Sequence, residues 1–430
     1  MSPTLILLAP FFILLLLNVP IAWSLGISVA VYMVLESSFS MTYIATTMFT
    51  ACDSFPLMAI PLFILAGALM EGGGLSSRLI GLADAFVGHL RGGLAIVSVL
   101  ACMFFGAISG SSAATVATIG VIMVPAMIER GYSRGFSYAL IAAAGCLGVL
   151  IPPSIPMVTY GVATNASIAT MFLGGFGPGL LCGCLLMLFA YVICRSNGWE
   201  GNGQIFSMGR VATAFSDAIG ALLVPVIILG GIYGGFFTPT EAAGIACFYG
   251  LIVGFLIYKE LTFAKVKNAL SSSAVTTTTI MVIVGTATAL ARMLTLEDIP
   301  TELAALIGGF TENPLVLLMV MNVFLLIVGC VMDSTPAILI LAPILQPIAA
   351  AYGIDIIHFG LMMVLNVSIG FITPPVGLNL FVASSLGDIQ FTTLCRRLVP
   401  FLFAMLIALM LTTYIPAVSL GIPWLFGYGN

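Results

Sequence analysis

Apolar runs of roughly 20 residues, each long enough to cross the hydrocarbon core of a bilayer, recur from one end of the chain to the other. Only 7% of the residues are charged and 61% are hydrophobic, whereas about a quarter of the residues of a soluble domain are charged. The sequence therefore predicts an all-α polytopic membrane protein with about ten to twelve transmembrane segments. Residues 1–20 have no basic stretch before their apolar run, so we expect a first transmembrane helix there and not a signal peptide.

Composition and motifs exclude several chemistries. The twelve basic residues are dispersed among short connectors, which argues against a nucleic-acid partner. The sequence lacks the glycine-rich phosphate loop of ATP-driven pumps, and its nine cysteines show no metal or redox spacing. The serine-rich stretch "GAISGSS" resembles a nucleophile motif, but His89 and His358 have no evident carboxylate partner. We therefore expect that the protein is not an enzyme.

Two Pro-Pro pairs interrupt long apolar runs at matching places. They lie in "GVLIPPSIP" (Gly148–Pro156) and "GFITPPVGL" (Gly370–Leu378), and a shift of 222 residues superimposes them. Upstream, the turn "GAISGSSAAT" (Gly106–Thr115) matches "GCVMDSTPAI" (Gly329–Ile338). The first glycine of the turn and the first glycine of the break are 42 residues apart in the first half (Gly106 and Gly148) and 41 residues apart in the second (Gly329 and Gly370). Paired interruptions of this kind point to the binding site of a carrier.

Polar connectors divide the chain. The longest of them, 195–204, is the expected boundary between two repeats, 1–204 and 205–430, each with one helical hairpin and one interrupted helix. The basic connectors Glu129–Arg134 and Tyr258–Lys267 are expected on the cytoplasmic side. Whether the repeats are inverted depends on an odd number of spans in each, which the residues do not reveal directly.

The prolines remove helical hydrogen bonds. They are predicted to free the carbonyls of Gly148 and Val149 in the first half, and of Gly370 and Phe371 in the second. In a bilayer such carbonyls persist only inside protein or around a polar cavity, and a cation of sodium size is a suitable partner. Neighbouring hydroxyl groups offer further oxygens: Ser109, Ser111, Ser112, Ser334 and Thr335. The alternative is that each pair only kinks a helix for packing; the matched positions favour ion sites.

Two carboxylates lie at apparent membrane depth, where charge is costly and commonly functional. Asp53 either binds a cation, borders a substrate cavity or caps the helix that follows it. Asp333 has the stronger case for a binding role because it stands beside Ser334 and Thr335.

Two further charges have structural interpretations. Glu241 follows Thr238 and Pro239 and indicates the first turn of a helix. Arg292 is expected to form an ion pair with Glu297 or Asp298 at a helix end, and not to bind substrate.

Four stretches occur in order along the chain: "DSFPLMAIPLFILAG", "SGSSAATVATIG", "GVLIPPSIPMVTYG" and "GFITPPVGLNLF". With them the chain resembles, over essentially its whole length, the large membrane subunit of TRAP (tripartite ATP-independent periplasmic) transporters. The resemblance implies a secondary transporter of the bacterial or archaeal inner membrane that co-transports two or more Na⁺ ions. It also implies an elevator-type fold with two inverted repeats, two re-entrant hairpins and two interrupted helices.

The resemblance implies two protein partners as well, a small four-helix membrane subunit and a soluble periplasmic binding protein. Because the sequence starts with what looks like the large subunit's first helix, the small subunit is expected to be a separate polypeptide. The sequence thus predicts the transporting subunit of a sodium-coupled importer of an organic acid anion, of the sialic acid or C4-dicarboxylate class. A stand-alone sodium-coupled carboxylate carrier and an ion channel are the alternatives.

Site residues are carried over from the family by matching motifs. The first sodium site is expected to use Gly106, Ser109, Gly148, Ile151 and Pro153. Its pseudo-symmetric counterpart is expected to use Gly329, Met332, Gly370, Thr373 and Pro375. Much of this coordination is expected from backbone carbonyls. The anion is expected between the two sites, near Ser111, Ser112, Asp333, Ser334 and Thr335, with Asp53 and Ser54 bordering the same cavity.

Overall fold

The computed structural model describes residues 3–17, 19–36, 40, 42–199, 206–299, 313–374, 376–387 and 389–428. Regular structure in these residues is helical, which confirms the all-α prediction. The helices before residue 200 are α1 Pro3–Leu16, α2 Ile21–Leu35, α3 Thr42–Cys52, α4 Ala59–Gly72, α5 Leu75–Val87, α6 Gly93–Ser109, α7 Ser112–Glu129, α8 Arg134–Gly145, α9 Ile155–Thr164 and α10 Ile168–Asn197. Those after it are α11 Met208–Tyr233, α12 Pro239–Ile252, α13 Phe263–Leu296, α14 Pro314–Gly329, α15 Ser334–Ala351, α16 Ile356–Gly370, α17 Leu378–Ser385, α18 Phe391–Tyr414 and α19 Pro416–Leu425.

Eight helical stretches are long and apolar enough to cross a membrane. They are Phe55–Gly72, Ser112–Glu129, Ile168–Asn197, Met208–Tyr233, Pro239–Ile257, Phe263–Leu296, Ser334–Ala351 and Phe391–Tyr414. Shorter apolar helices accompany them, and among these α8 and α16 end at the two breaks that separate them from α9 and α17. The chain is a multi-pass membrane protein.

Side-chain caps fix several helix starts. The hydroxyl of Thr238 accepts a hydrogen bond from the amide of Glu241, and the Glu241 carboxylate accepts one from the Thr238 amide at 2.8 Å. This capping box satisfies amides that a helix start leaves open, and it confirms that Glu241 belongs to a first helical turn. The carboxylate of Asp355 likewise accepts from the amides of Ile357 and His358, at 2.8 and 3.0 Å.

The helices pack into two groups, each drawn from both halves of the sequence. The scaffold group consists of α1–α5 and α11–α13, with α4 packed between α12 and α13. The hairpin group consists of α6–α10 and α14–α19, and it contains both helix–turn–helix pairs and both broken helices. The groups meet where α5 packs on α6, where α13 packs on α15 and where α4 packs on α6 and α9. Any movement of one group against the other therefore involves the contact surfaces of α4, α5 and α13.

Candidate functional site

The turn of the first hairpin joins α6 to α7 within two residues. Gly110 has a φ of 61°, a conformation that glycine adopts without a Cβ penalty. The Ser111 side chain accepts a hydrogen bond from the amide of Ala114 and caps α7. The Thr115 hydroxyl donates to the carbonyl of Ser111 at 2.7 Å, and its oxygen lies 3.2 Å from that of Ser109. The turn thus gathers several hydroxyl and carbonyl oxygens.

The break between α8 and α9 lies directly against this turn. A Cβ atom built on Gly148 would lie 2.3 Å from the Thr115 hydroxyl oxygen, and one on Gly106 would lie 2.9 Å from the Cα of Gly148. Real Cβ atoms essentially never approach so closely, so these positions require glycine. The amide of Ile155, at the start of α9, donates to the carbonyl of Gly110 at 3.4 Å.

The second half repeats this contact with its own glycines. Gly329 ends α14, the first arm of the second hairpin, and Gly370 ends α16 at the second break. A Cβ atom on Gly370 would lie 2.2 Å from the carbonyl carbon of Gly329. The matching glycines of the two halves, Gly106 with Gly329 and Gly148 with Gly370, therefore occupy equivalent contacts in space, with backbone against backbone in both halves.

The prediction that the breaks leave four carbonyls without a hydrogen bond is wrong for three of them. These three carbonyls accept other hydrogen bonds at 2.6–3.0 Å. Val149 accepts from the Ser154 hydroxyl, Gly370 from the backbone amide of Thr373, and Phe371 from the backbone amide of Asn379. Outside the helix the backbone turns back on itself, and donors a few residues ahead replace the missing helical amides. A carbonyl oxygen has two lone pairs, so each retains one for a cation.

The sodium candidates lie in and beside these two contacts. Those buried in the first hairpin turn and break are Gly106, Ser109, Gly148, Ile151 and Pro153, and those buried in the second are Gly329, Met332 and Gly370. Thr373 is half-buried, and its hydroxyl donates to the carbonyl of Ile369 at 2.8 Å, so its oxygen can still face a cation. Pro375 lies outside the described residues.

A cavity of about 100 Å³, here named the hairpin cavity, lies between the two hairpin turns. Its wall includes five of the seven substrate candidates: Ser111, Ser112, Asp333, Ser334 and Thr335. Val149 and Phe371, one from each break, also line it. The amino-terminal ends of α7 and α15 meet at this cavity, and helix N-termini attract anions.

Asp333 has a structural partner in this wall. Its carboxylate accepts a hydrogen bond from the amide of Ser334 at 2.6 Å and caps α15. A capping carboxylate satisfies an amide at the helix start, so Asp333 shapes the turn in addition to lining the cavity.

Asp53 and Ser54 lie elsewhere. Neither lines the hairpin cavity, so the expectation that they border it is wrong. The capping alternative for Asp53 is also wrong, because Ser54 occupies the cap position and forms no capping hydrogen bond. The reason is that α3 ends at Cys52, and the exposed Asp53 lies where the chain changes direction. Ser54 instead lines two other cavities, of about 430 and 480 Å³.

The expected ion pair of Arg292 is wrong as well. The ion pairs in the described parts of the chain are Arg78–Glu260 at 2.7 Å and Arg210–Asp84 at 3.4 Å. Glu297 is instead in hydrogen-bonding contact with the Tyr32 hydroxyl. The ion pair was predicted because Arg292 is close in sequence to Glu297 and Asp298. However, the helix ends at Glu297 and the chain turns at Asp298, which has a φ of 54°.

Asn379 is a site residue that sequence reasoning missed. It is fully buried at the start of α17, and its amide group donates to the Ser112 hydroxyl at 2.8 Å and to the carbonyl of Ala142 at 3.0 Å. It thereby ties the second broken helix to the first hairpin. An asparagine within an apolar run is the sequence signal that could have identified it.

Replacing Asn379 with alanine should lower the free energy of unfolding by about 1–3 kcal/mol, because the Ser112 hydroxyl and the Ala142 carbonyl lose a buried partner. Thermal unfolding of the purified protein in detergent measures the change. Asn197→Ala is the matched control, since Asn197 is exposed and its side chain bonds only within α10. Equal stability of the two variants would show that the Asn379 contacts contribute nothing.

Two hairpin turns that meet two broken helices inside a multi-pass helical protein define a membrane transporter permease. A family model described as "Tripartite ATP-independent periplasmic transporter, DctM component" matches residues 8–418. The chain belongs to this family, the DctM large permease subunits of TRAP transporters. It is a transporter permease and not an enzyme.

Relatives with different named substrates are similar over most of the chain. The isethionate TRAP transporter permease protein DctMQ of Oleidesulfovibrio alaskensis is 46% identical over 97% of this chain, which spans 66% of that protein's length. The C4-dicarboxylate TRAP transporter large permease protein DctM of Pseudomonas aeruginosa is 44% identical over 94% of each chain. The sialic acid TRAP transporter large permease protein SiaM of Vibrio cholerae is 38% identical over 97% of this chain and 98% of its own.

A solved structure supports the fold. The Alcanivorax borkumensis YdaH transporter superimposes with a TM-score of 0.65 over 99% of this chain and 100% of its own. Its sequence identity is 17%, so the likeness concerns the fold alone.

Proposed function

We propose that this chain is the transporting subunit of a sodium-coupled secondary importer of an organic anion. The observation that carries the proposal is the repeated backbone contact of Gly106 with Gly148 and of Gly329 with Gly370. Each contact gathers carbonyl and hydroxyl oxygens at one side of the hairpin cavity, as a Na⁺ site in a discontinuous helix requires. Two or more Na⁺ ions would be co-transported with the anion.

The positions of the basic residues support a membrane orientation. Contacts between residues at the helix ends bring several connectors together at one face of the protein. Two are the ion pairs Arg78–Glu260 and Arg210–Asp84, and a third is the hydrogen bond from Lys265 to the Gly72 carbonyl. The others join Gly92 and Tyr132 to Trp199, and Gly135 to Arg397. Eleven of the twelve Lys and Arg residues lie at these connectors, and Arg292 is the exception. By the positive-inside rule this basic face is cytoplasmic.

The same orientation supports two inverted repeats, 1–204 and 205–430. The first hairpin has its open end at the basic face, since Gly92 and Tyr132 flank it there and both contact Trp199. The second hairpin opens the other way, since its arm α15 lines the 480 Å³ cavity together with Arg292 at the far end of α13. Opposed hairpins around one cavity suit an elevator mechanism, in which the hairpin group slides along the scaffold group.

The family supports the remaining parts of the proposal. A small membrane subunit and a soluble binding protein would complete the system, and the name of the Oleidesulfovibrio alaskensis relative joins M and Q components in one chain. The bacterial inner membrane is the proposed location.

The named substrates of the relatives are isethionate, C4-dicarboxylates and sialic acid, which all carry an oxyanion group. Sialic acid and C4-dicarboxylates are the classes we propose first, with isethionate as a further candidate.

Reconstitution in liposomes tests the proposal. We expect concentrative uptake of one of these anions that needs an inward sodium gradient, the small subunit and the loaded binding protein. Sodium-driven uptake by this chain alone would favour a stand-alone carrier. Passive anion flux that ignores the sodium gradient would favour a channel and overturn the proposal.

A further inference from the structure

Arg292 is set apart from every other basic residue of the protein. It lies near the end of α13, whereas the other eleven lie at the opposite, basic face. A cation away from the cytoplasmic side works against the positive-inside bias, so its position calls for a reason. The structure provides no carboxylate partner for it within the described residues.

The exposed Arg292 lines a cavity of mixed polarity, whose wall also includes apolar side chains such as Val284 and Leu339. The cavity of about 480 Å³ is lined by Arg292 together with Ser54, Asn165, Thr288 and Thr295. Asn165 has a φ of 57°, so its backbone adopts a conformation that few non-glycine residues hold. Glu297, five residues further along the chain, is in contact with Tyr32, and no described carboxylate forms an ion pair with Arg292. The guanidinium group is therefore available to an anion from solution.

The helix α13 lines both this cavity and the hairpin cavity. Thr276 and Ile280 line the hairpin cavity, and Thr288 and Arg292 line the outer one. These positions are spaced by multiples of four, so they follow a stripe that winds around the helix by about 40° for every four residues. The twelve residues from Ile280 to Arg292 correspond to about 18 Å along the axis. Ser272, four residues before Thr276, lines a third cavity of about 170 Å³ on the side of the basic face.

We propose that Arg292 captures the carboxylate or sulfonate group of the incoming anion at the outer mouth, before the anion reaches the hairpin cavity along α13. This inference rests on the proposed function and names the residue that first recognises the substrate class. An arginine binds both oxyanions with two parallel hydrogen bonds. The Ser54 hydroxyl and the Asn165 amide supply neutral partners for the rest of an organic anion.

Equilibrium binding to the full-length chain, purified with its small subunit, tests the inference directly. The probes are succinate, isethionate and N-acetylneuraminate, each titrated without the binding protein and without a sodium gradient. We expect saturable binding of at least one probe to the parent and a dissociation constant about tenfold or more higher for Arg292→Gln. The dissociation constant of Arg292→Lys should lie between those of the parent and Arg292→Gln, because lysine keeps the positive charge but cannot form two parallel hydrogen bonds.

Lys267→Gln is the matched control, since it removes one positive charge from the opposite end of the same helix. Equal dissociation constants for Arg292→Gln and the parent, or no saturable binding of any probe to the parent, would overturn the inference. Weaker binding of the periplasmic protein to Arg292→Gln, with unchanged affinity for the probes, would also overturn it and make Arg292 a docking residue. Failure of the proposed function looks different, because probe binding would persist while sodium-driven uptake was absent.

Discussion

Gly370→Ala should reduce sodium-driven uptake to less than about a tenth of the parent's rate. The new methyl group would lie 2.2 Å from the carbonyl carbon of Gly329. A Cβ is fixed by its own backbone and the Gly329 carbon belongs to the backbone, so neither can rotate away. Overpacking of a close-packed interior costs about 1–3 kcal/mol and moves the backbone. The α14–α16 contact must open, and the oxygens of the second proposed sodium site move with it. Uptake into liposomes at saturating sodium measures the loss.

Gly244→Ala is the control for this experiment. Gly244 also lies within a helix, but a Cβ atom there meets nothing within 4 Å, so uptake should match the parent's. If Gly370→Ala fails to fold, Gly106→Ala gives the milder test, since its Cβ would lie 2.9 Å from the Cα of Gly148. Parental uptake by Gly370→Ala or, in that event, by Gly106→Ala would show that the close glycine contacts do not support transport.

Ser109→Ala and Thr373→Val should each raise the sodium concentration for half-maximal uptake by about tenfold, which corresponds to about 1.4 kcal/mol of lost binding energy. Each change removes one hydroxyl oxygen from a proposed sodium site. The two residues occupy separate sites, one in each half, so each variant should leave the other site intact. Initial uptake rates over a series of sodium concentrations measure the shift.

Matched hydroxyl deletions distinguish sodium binding from folding. Ser98 lies on the same helix as Ser109 and is fully buried, and its hydroxyl donates to the carbonyl of Leu94 at 2.8 Å, far from the hairpin turn. Thr286 is the corresponding control for Thr373, with its hydroxyl bonded to the Val282 carbonyl at 3.0 Å. Ser98→Ala and Thr286→Val should keep the parent's sodium response. If Ser109→Ala and Thr373→Val both keep the parent's sodium response, these two residues do not contribute to the sodium sites.

The sequence predicted the helical membrane class and the glycine pairs because both follow from local rules. Apolar length decides whether a helix can span a bilayer, and a Pro-Pro pair removes two successive amide donors from a helix. The equivalent positions of Gly106 and Gly329 could be recognised because the two halves carry the same order of glycines, prolines and hydroxyl residues.

Other parts of the site depend on the path of the chain in space, which one sequence does not contain. Asn379 reaches Ser112 across 267 residues, and no spacing rule links them. Asp53 was expected to border the hairpin cavity, yet the end of α3 leaves it exposed and outside the wall of that cavity. The carbonyl of Val149 has a partner because the chain after the break brings the Ser154 hydroxyl within 2.6 Å.

High-resolution density maps of the protein in sodium and in potassium give the most direct test of the two ion sites. With sodium we expect a compact density in each half, beside the contact of Gly106 with Gly148 and beside that of Gly329 with Gly370, surrounded by carbonyl and hydroxyl oxygens. Both densities should weaken when potassium replaces sodium. Maps that are identical in the two salts, with no density at either contact, would contradict sodium binding by the paired breaks.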